Sequence, residues 1–523
     1  MDTPVAPSRT PALALGVAAL LVVSVSAGVL YFLNRSADMA FDPVATAELV
    51  PDDTHLFLTF NTDFASRPWT AVPRLLDALD IEDDVRADLR ESAADEDYDF
   101  DAEIVPALAT ISRAAIVAQY VSPDEVEWLY VIDSRDRDRV LALMRRDLED
   151  RTMTEQRDEE LGLTFEVYAD DRFGPDDTTV LTTHDGILYL SEDPDHVANF
   201  IRRRQSHAPL SDSQRFRDAV AEVEDGALLV GYGSGSVFDH ADLRDIVDAA
   251  RESADFDPRA ASLALAISAR DDGFGARAVF RVDGGFGSFD DLVGEPADIE
   301  GLAALTPADA LFFFAGAGLH DALVDAFDNV AEQTPDLLYD FVYPIEDQFG
   351  ISLERDLFPL IGSSYGGAVG GENLGSDDWT PDDLWVLGLI ESPDPAELNG
   401  YLNTLIQEIE FECLCDLGIV LDERPGYAHI QWPDRTLSDD RLSDSDGFRR
   451  TLALLPANPS TIYFLNLRSL PEDVIADLST DFAADPEGYD VNLEALLGFA
   501  VAGSGDDTSF SFDMVLPIAT AAP

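Results

Sequence analysis

Leu49-Val50-Pro51-Asp52-Asp53-Thr54-His55-Leu56-Phe57 returns later in the chain as Leu305-Thr306-Pro307-Ala308-Asp309-Ala310-Leu311-Phe312-Phe313. Each copy sets a proline turn ahead of an apolar run that ends in aromatic residues. More pairs follow in the same order. Phe100-Asp101-Ala102-Glu103-Ile104-Val105-Pro106 is matched by Ile351-Ser352-Leu353-Glu354-Arg355-Asp356-Leu357-Phe358-Pro359. Ile132-Asp133-Ser134-Arg135-Asp136 returns as Ile390-Glu391-Ser392-Pro393-Asp394, and Leu210-Ser211-Asp212-Ser213 with Phe216-Arg217 as Leu442-Ser443-Asp444-Ser445 with Phe448-Arg449. The apolar runs 263–269 and 276–282 match 497–503 and 509–516. Ordered self-similarity of this kind is the mark of an internal duplication. It predicts a first module over 45–285, a linker over 286–300, a second module over 301–517 and a short tail over 518–523. The joint is the Gly/Asp-rich stretch Asp283–Ile299.

Each half reads in one coarse order. A strand comes first (Thr54–Asn61 or Ala310–Ala317), then helices (Trp69–Leu79 and Asp84–Ser92, or Asp321–Glu332 and Asp336–Phe349). Two strands follow (Ala114–Val121 with Glu127–Asp133, or Ser363–Val369 with Leu384–Glu391), then a helix (Asp136–Leu148 or Pro395–Ile409). Short strands such as Thr164–Ala169 and Gly186–Ser191 come next. Gln214–Val223 reads as a helix and Ala227–Tyr232 as a strand, and a closing hairpin is marked by Asp272-Gly273 or Gly505-Asp506. Alternating strands joined by hairpins predict an α+β fold, two related modules of antiparallel sheet with helices on one face.

Ahead of the modules, Ala12–Leu33 is free of charge and proline. It is long enough to cross a bilayer as a helix. A cleaved signal peptide would need a shorter apolar core and a small-residue site. Val25-Ser26-Ala27 offers such a site, but the apolar run continues through Leu33, which favours a retained anchor. The expected layout is a tail over 1–11, a transmembrane helix over 12–33, a linker over 34–44, and the body outside the cytoplasm. Arg9 and Arg35 flank the segment evenly and set no orientation by charge.

The 523 residues carry 103 acidic and 33 basic side chains, a formal charge of −70, and every basic residue is Arg. Acids spread over the whole chain make a solvated acidic surface, which argues against a nucleic-acid partner. Such self-repulsion is tolerable when salt screens it, so the composition predicts adaptation to high salt. A GC-rich genome that writes Arg for Lys is the competing explanation. With 46% hydrophobic residues the body has the means to form a packed core. The two cysteines, Cys413 and Cys415, read on a strand as a pair of small apolar residues, since a disulfide across i and i+2 there is strained.

The N-terminal apolar segment, the Leu49–Phe57 opening, the Phe100–Pro106 element and the strand-Asp-helix step at Ile132–Asp136 resemble the bacterial and archaeal family known as domain of unknown function 3352. Ala107 and Leu360 stand where that family often has Trp. The resemblance implies an anchored, exported protein and no particular chemistry.

Several motifs invite a chemical reading. Gly362-Ser363-Ser364-Tyr365-Gly366 fits the G-x-S-x-G of a hydrolase, with Ser364 as nucleophile, but a helix must follow the serine. Here Gly367-Ala368-Val369-Gly370-Gly371 follows, and the matching Ile111–Ala115 has no such motif. Asp95, Asp97, Asp99 and Asp101 alternate like the start of a calcium loop. Phe100 and Pro106 stand where the loop needs Gly and Glu, which excludes an EF-hand; a looser surface ion site is the remaining metal reading. Gly231–Ser236 is Gly-rich without the Lys of a phosphate loop. The histidines are His55, His184, His196, His207, His240, His320 and His429, none at helical metal spacing from another. His55 and His320 meet only if the fold brings them together. Asp136 and Asp394 read as helix N-caps, and Arg202-Arg203-Arg204 as partners of nearby carboxylates.

No catalytic, cofactor-binding or metal residue is assigned from these patterns. The expected function is a non-enzymatic binding or envelope-associated protein held at the membrane by its N-terminal helix, with an unknown protein or apolar partner. The alternative is a carrier or sensor for a lipid-like ligand in a cavity between sheet and helices, lined by aromatic strands such as Leu311–Phe314 and Ile462–Leu465.

Overall fold

Arg113-Ala114-Ala115-Ile116-Val117-Ala118 is apolar at consecutive positions after its first residue. A strand built from it turns apolar side chains to both faces, so both faces need cover. That demand shapes the fold. The computed structural model describes residues 41–122, 125–169, 178–223, 226–239, 257–283, 295–334, 338–343, 346, 348, 350–371, 383–413, 415, 417–470, 492–506 and 508–520. The chain divides into two compact units, Met1–Val247 with Ser262–Asp271, and Asp248–Ala261 with Asp272–Pro523. The fold is α+β, with antiparallel sheet and packed helices.

In the first unit the elements are α1 (Pro43–Ala47), β1 (Leu56–Phe60), α2 (Arg67–Ala78), α3 (Glu82–Asp95), α4 (Val105–Leu108), β2 (Ile111–Ser122), β3 (Glu125–Ser134) and α5 (Arg137–Asp147). Then come β4 (Thr152–Asp158), β5 (Leu163–Ala169), β6 (Thr178–His184), β7 (Ile187–Ser191), α6 (Pro194–Ser206), α7 (Gln214–Ala221), β8 (Ala227–Ser234) and β9 (Ala261–Arg270). The strands run in the order β4-β5-β6-β7-β3-β2-β1-β8-β9, each pair antiparallel. Phe216 of α7 sits edge-on between Phe57 and Tyr232, with ring centroids 5.6 and 5.1 Å away. Tyr189 meets Phe200 of α6. Its neighbour Leu188 faces the other way and packs against Val140 and Leu141 of α5.

The second unit holds β10 (Gly273–Val282), α8 (Ile299–Leu305), β11 (Ala310–Gly316), α9 (Leu319–Gln333), β12 (Tyr365–Gly371), β13 (Leu384–Glu391) and α10 (Pro395–Cys413). It continues with β14 (Val420–Arg424), β15 (Tyr427–Trp432), α11 (Asp446–Leu454), β16 (Thr461–Leu465), β17 (Phe499–Asp506) and β18 (Ser509–Pro517). The order is β14-β15-β13-β12-β11-β16-β17-β18-β10, again antiparallel throughout. Phe448 of α11 is edge-on to Phe313 and Phe464 at 5.6 and 5.2 Å. Leu389 joins that core, while the next residue, Ile390, packs with Leu398 and Leu402 of α10 and Leu319 and Leu323 of α9.

Helices therefore pack on both faces of the sheet in each unit, which corrects the expectation of helices on one face. The cause is the apolar run at successive strand positions, as in Trp385–Ile390, where strict alternation would have left one face polar. Other expectations also shift. The strand over Ala276–Val282, read as the close of the first module, lies in the second unit, paired with β18 from Gly273↔Pro517 to Arg281↔Ser509. Cys413 ends a helix instead of lying on a strand, and Cys415 is disulfide-bonded, with no free cysteine among the described residues. The free apolar pair is thereby corrected, because its premise of strand geometry fails. Strand β4 reads Thr-Met-Thr-Glu-Gln-Arg-Asp and is exposed along nearly its whole length, so it gave no periodic signal. Of the helix expected over Asp336–Phe349, the structure describes a π-helical turn at Leu338–Val342. The anchor segment Ala12–Leu33 and most of the Asp283–Ile299 joint lie outside the described residues. Among the described residues no helix is long and apolar enough to cross a membrane.

Candidate functional site

The opening motif of the first unit leads to the site. Val50 accepts a hydrogen bond from Leu210 N–H (2.7 Å), and Asp52 N–H donates to Ala208 (2.9 Å). Pro51 and Pro209 form an antiparallel bridge. These bonds clip the 49–53 turn to the 207–210 loop and set Asp52 and Asp53 beside His207. His55, at the entry to β1, is fixed by its own main chain, whose carbonyl accepts from Ser234 N–H at 2.8 Å. Its ring Nδ1 accepts from Tyr120 N–H of β2 at 3.1 Å. A cavity of 400 Å³ opens here, lined by Asp52, Asp53, His55, Gln119, Ser213, Arg215, Tyr232, Ser234 and Ser236.

Arg203 of α6 grips both oxygens of Asp53 at 2.8 Å and donates to Gln119 Oε1 at 2.8 Å. This fork-on-carboxylate pairing fixes the plane of Asp53. Burial alone would raise the Asp53 carboxyl, but the Arg203 bonds and charge, with the His207 ring, outweigh it and hold it below the usual carboxylate range. Asp53 therefore stays an anion. His55 Nδ1 thus accepts a main-chain N–H, and its Nε2 lies 3.4 Å from the Gln119 side-chain Nε2. Ser213 caps α7 by accepting from Phe216 N–H, and Ser234 accepts from both the N–H and the hydroxyl of Ser236. The walls thus offer carboxylate acceptors on one side and hydroxyl, imidazole and guanidinium groups on others.

The remaining sequence candidates fall elsewhere. Ser364 is buried, its hydroxyl accepts from Asp298 N–H at 3.2 Å, and strand β12 follows it where a nucleophile elbow needs a helix. The neighbouring glycines serve packing. A Cβ on Gly370 would lie 2.3 Å from the Trp385 ring, and one on Gly366 2.8 Å from the Phe314 carbonyl oxygen. Of the alternating aspartates, Asp95 ends α3, Asp97 takes a left-handed turn, Asp99 caps the turn at Phe100–Ile104 and Asp101 pairs with Arg90. Arg202 pairs with Asp158 and Glu160, and Arg204 bonds the Tyr189 hydroxyl. Asp136 and Asp394 accept the N–H groups of Arg139 and Glu397, as caps do. His320 lies in the second unit, bonded to the Phe358 carbonyl, so it and His55 each have partners within their own unit. His184 and His196 stand beside Asp185 and Glu127. His429 is buried and held below the ordinary imidazole range, first by burial and then by Arg424. His240 lies outside the described residues. Leu311–Phe314 and Ile462–Leu465, the aromatic strands expected to line an apolar cavity, divide between two faces of the sheet. Phe313, Ile462 and Phe464 are core, while Phe312 and Tyr463 stack on the opposite face at 6.5 Å.

Gln119 and Arg215 escaped the sequence reading because they lie far from the motif and follow no spacing rule, while Arg203, read as a carboxylate partner, and His207 were noted without being joined to the motif. One signal was present. Asp52 and His55 stand opposite Ala308 and Leu311 in the matching stretch, polar groups where a purely structural turn keeps apolar ones.

No curated protein matches the chain. Among solved structures, one described as "Structure of crystal form I of TP0453" is similar over 47% of this chain and 81% of that one, at 13% identity and a TM-score of 0.24. A likeness that distant carries no argument about this protein. The model of the family described as protein of unknown function (DUF3352) matches residues 14–396, and the chain belongs to that family.

Proposed function

We propose that this protein is a membrane-anchored, surface-exposed binding protein, not an enzyme. It is held by Ala12–Leu33 and built from two related modules suited to high salt, with the binding site in the polar pocket of the first. The observation that carries the reading is the state of the pocket's groups. His55 has its Nδ1 lone pair taken by Tyr120 N–H, so that nitrogen is not free to activate Ser213, Ser234 or Ser236 as a base. Charged and hydroxyl groups around 400 Å³ suit a small polar solute bearing a cationic group. Two related modules are supported by the shared run of strand neighbours, β6-β7-β3-β2-β1-β8-β9 against β14-β15-β13-β12-β11-β16-β17. Support comes also from Phe216 and Phe448, each one turn after a serine cap and each edge-on to two strand aromatics.

Native mass spectrometry of the full chain from detergent, followed by solvent extraction, tests this. A bound polar small molecule that is lost in His55→Ala supports the pocket. A clean mass in both proteins refutes it. A second reading, a lipid-like ligand, is favoured by the apolar outer face of the second unit, where Tyr463, Phe512 and Met514 are 45–52% exposed. A stoichiometric lipid in the extract would establish that reading in place of the first.

A further inference from the structure

Alternate residues of β11, β16, β17, β18 and β10 face away from the core built around Phe448. In the strand register Phe314, Tyr463, Val501, Met514 and Ala276 stand side by side, one apolar row across all five strands. The rows beside it add further aromatic rings, among them Phe510 and Phe512, edge-on at 4.4 Å. Tyr463, Phe499, Phe512 and Met514 are 38–52% exposed. Charged residues make up 26% of the chain, yet none occupies an outward position on these strands. The face is therefore a second apolar surface, separate from the core on the other side of the same strands.

Its size fits a stable partner. Strands about 4.8 Å apart and about seven residues long, at about 3.4 Å per residue, give the five a span of roughly 24 by 24 Å, on the order of 600 Å² in projection. Side-chain relief adds to that, toward the roughly 800 Å² that each partner buries in a stable complex. Composition narrows the partner further. Transient partners meet on surfaces about as polar as the rest of a protein, whereas a permanent homodimer interface resembles a core cut in half. A bilayer would call for Lys or Arg around the face, and its outward positions hold neither. Two copies of formal charge −70 approach each other at least cost through a surface without acids. We infer that two copies of this chain pair through the outward face of β11, β16, β17, β18 and β10, second unit against second unit, as an aligned sheet sandwich. The inference is independent of the pocket in the first unit, and it gives to a second copy the face that the lipid reading gives to a ligand.

The test is photo-crosslinking of the full chain in its own membranes, with benzoylphenylalanine in place of Tyr463 or of Phe512 and two differently tagged copies expressed together. A product of twice the chain mass that carries both tags is expected from each position. The same probe in place of Phe411, exposed on α10, should give none. Met514→Glu, which sets a charge in the middle of the apolar row, should cut the product at least about tenfold. Circular dichroism of the purified variant should match the parent; if it does not, Met514→Ser takes its place with the same expectation. A product joined to lipid or to a different protein, no product at all, or an undiminished product in the folded variant overturns the inference. Loss of a pocket solute in His55→Ala with the paired product intact would leave the two readings standing separately.

Discussion

Replacing Phe448 by Ala probes the packing on which the second unit depends. Its side chain has no exposed surface and stands edge-on to Phe313 and Phe464 at 5.6 and 5.2 Å. A buried Phe→Ala change costs about 3–5 kcal/mol. Two edge-to-face contacts, each worth about 0.5–1.5 kcal/mol beyond the area they bury, place this site at the upper end. With a guanidinium slope of roughly 4 kcal/mol per molar, the unfolding midpoint should fall by about 1 M. Trp385, buried in the same core, reports the transition by fluorescence. Phe448→Leu, which keeps most of the volume, should lose about 1–1.5 kcal/mol. Phe216→Ala in the first unit should show a cost like that of Phe448→Ala, because Phe216 is equally buried between Phe57 and Tyr232. A loss below about 1 kcal/mol in Phe448→Ala would refute this account of the core.

Tyr427 donates to Asp298 Oδ2 at 2.7 Å, while Asp298 Oδ1 caps α8 through Gly301 N–H. Tyr427→Phe should cost about 1.5–3 kcal/mol in denaturant unfolding, and parent-like stability would show the bond idle. Burial first, and then the charge of Asp147, push the Tyr98 hydroxyl up to about 12 from 10.0. Its contribution is whole below pH 10 and is lost as pH rises toward 12, because the unfolded chain ionises first. Tyr98→Phe should flatten that part of the stability–pH curve, and an unchanged slope between those pH values would contradict the assignment. The formal charge of −70 predicts that refolding yield, read by circular dichroism, climbs with potassium chloride concentration. Full stability without salt would remove the halophilic reading.

Much of the fold was legible because its signals are local. Asp136 and Asp394 cap helices as their position after a strand predicts, and Ser213 and Ser445 do the same. β1, β3, β11 and β13 lie within a few residues of their apolar runs. Where the signal is not local, the sequence misleads. Nothing in Ala276–Val282 says whether that strand stays with the unit before it or pairs with β18. The exposed β4 carries no apolar period at all. The pocket depends on Asp53 meeting Arg203, 150 positions later, through a clip of main-chain bonds that no side-chain pattern announces.

The central claim is an anchored body whose pocket faces the outside of the cell. Protease treatment of intact cells, followed by detection of separate tags on the 1–11 tail and the C-terminus, tests it most directly. The account predicts loss of the C-terminal tag from intact cells while the N-terminal tag persists until lysis. A C-terminal tag protected until lysis would contradict it.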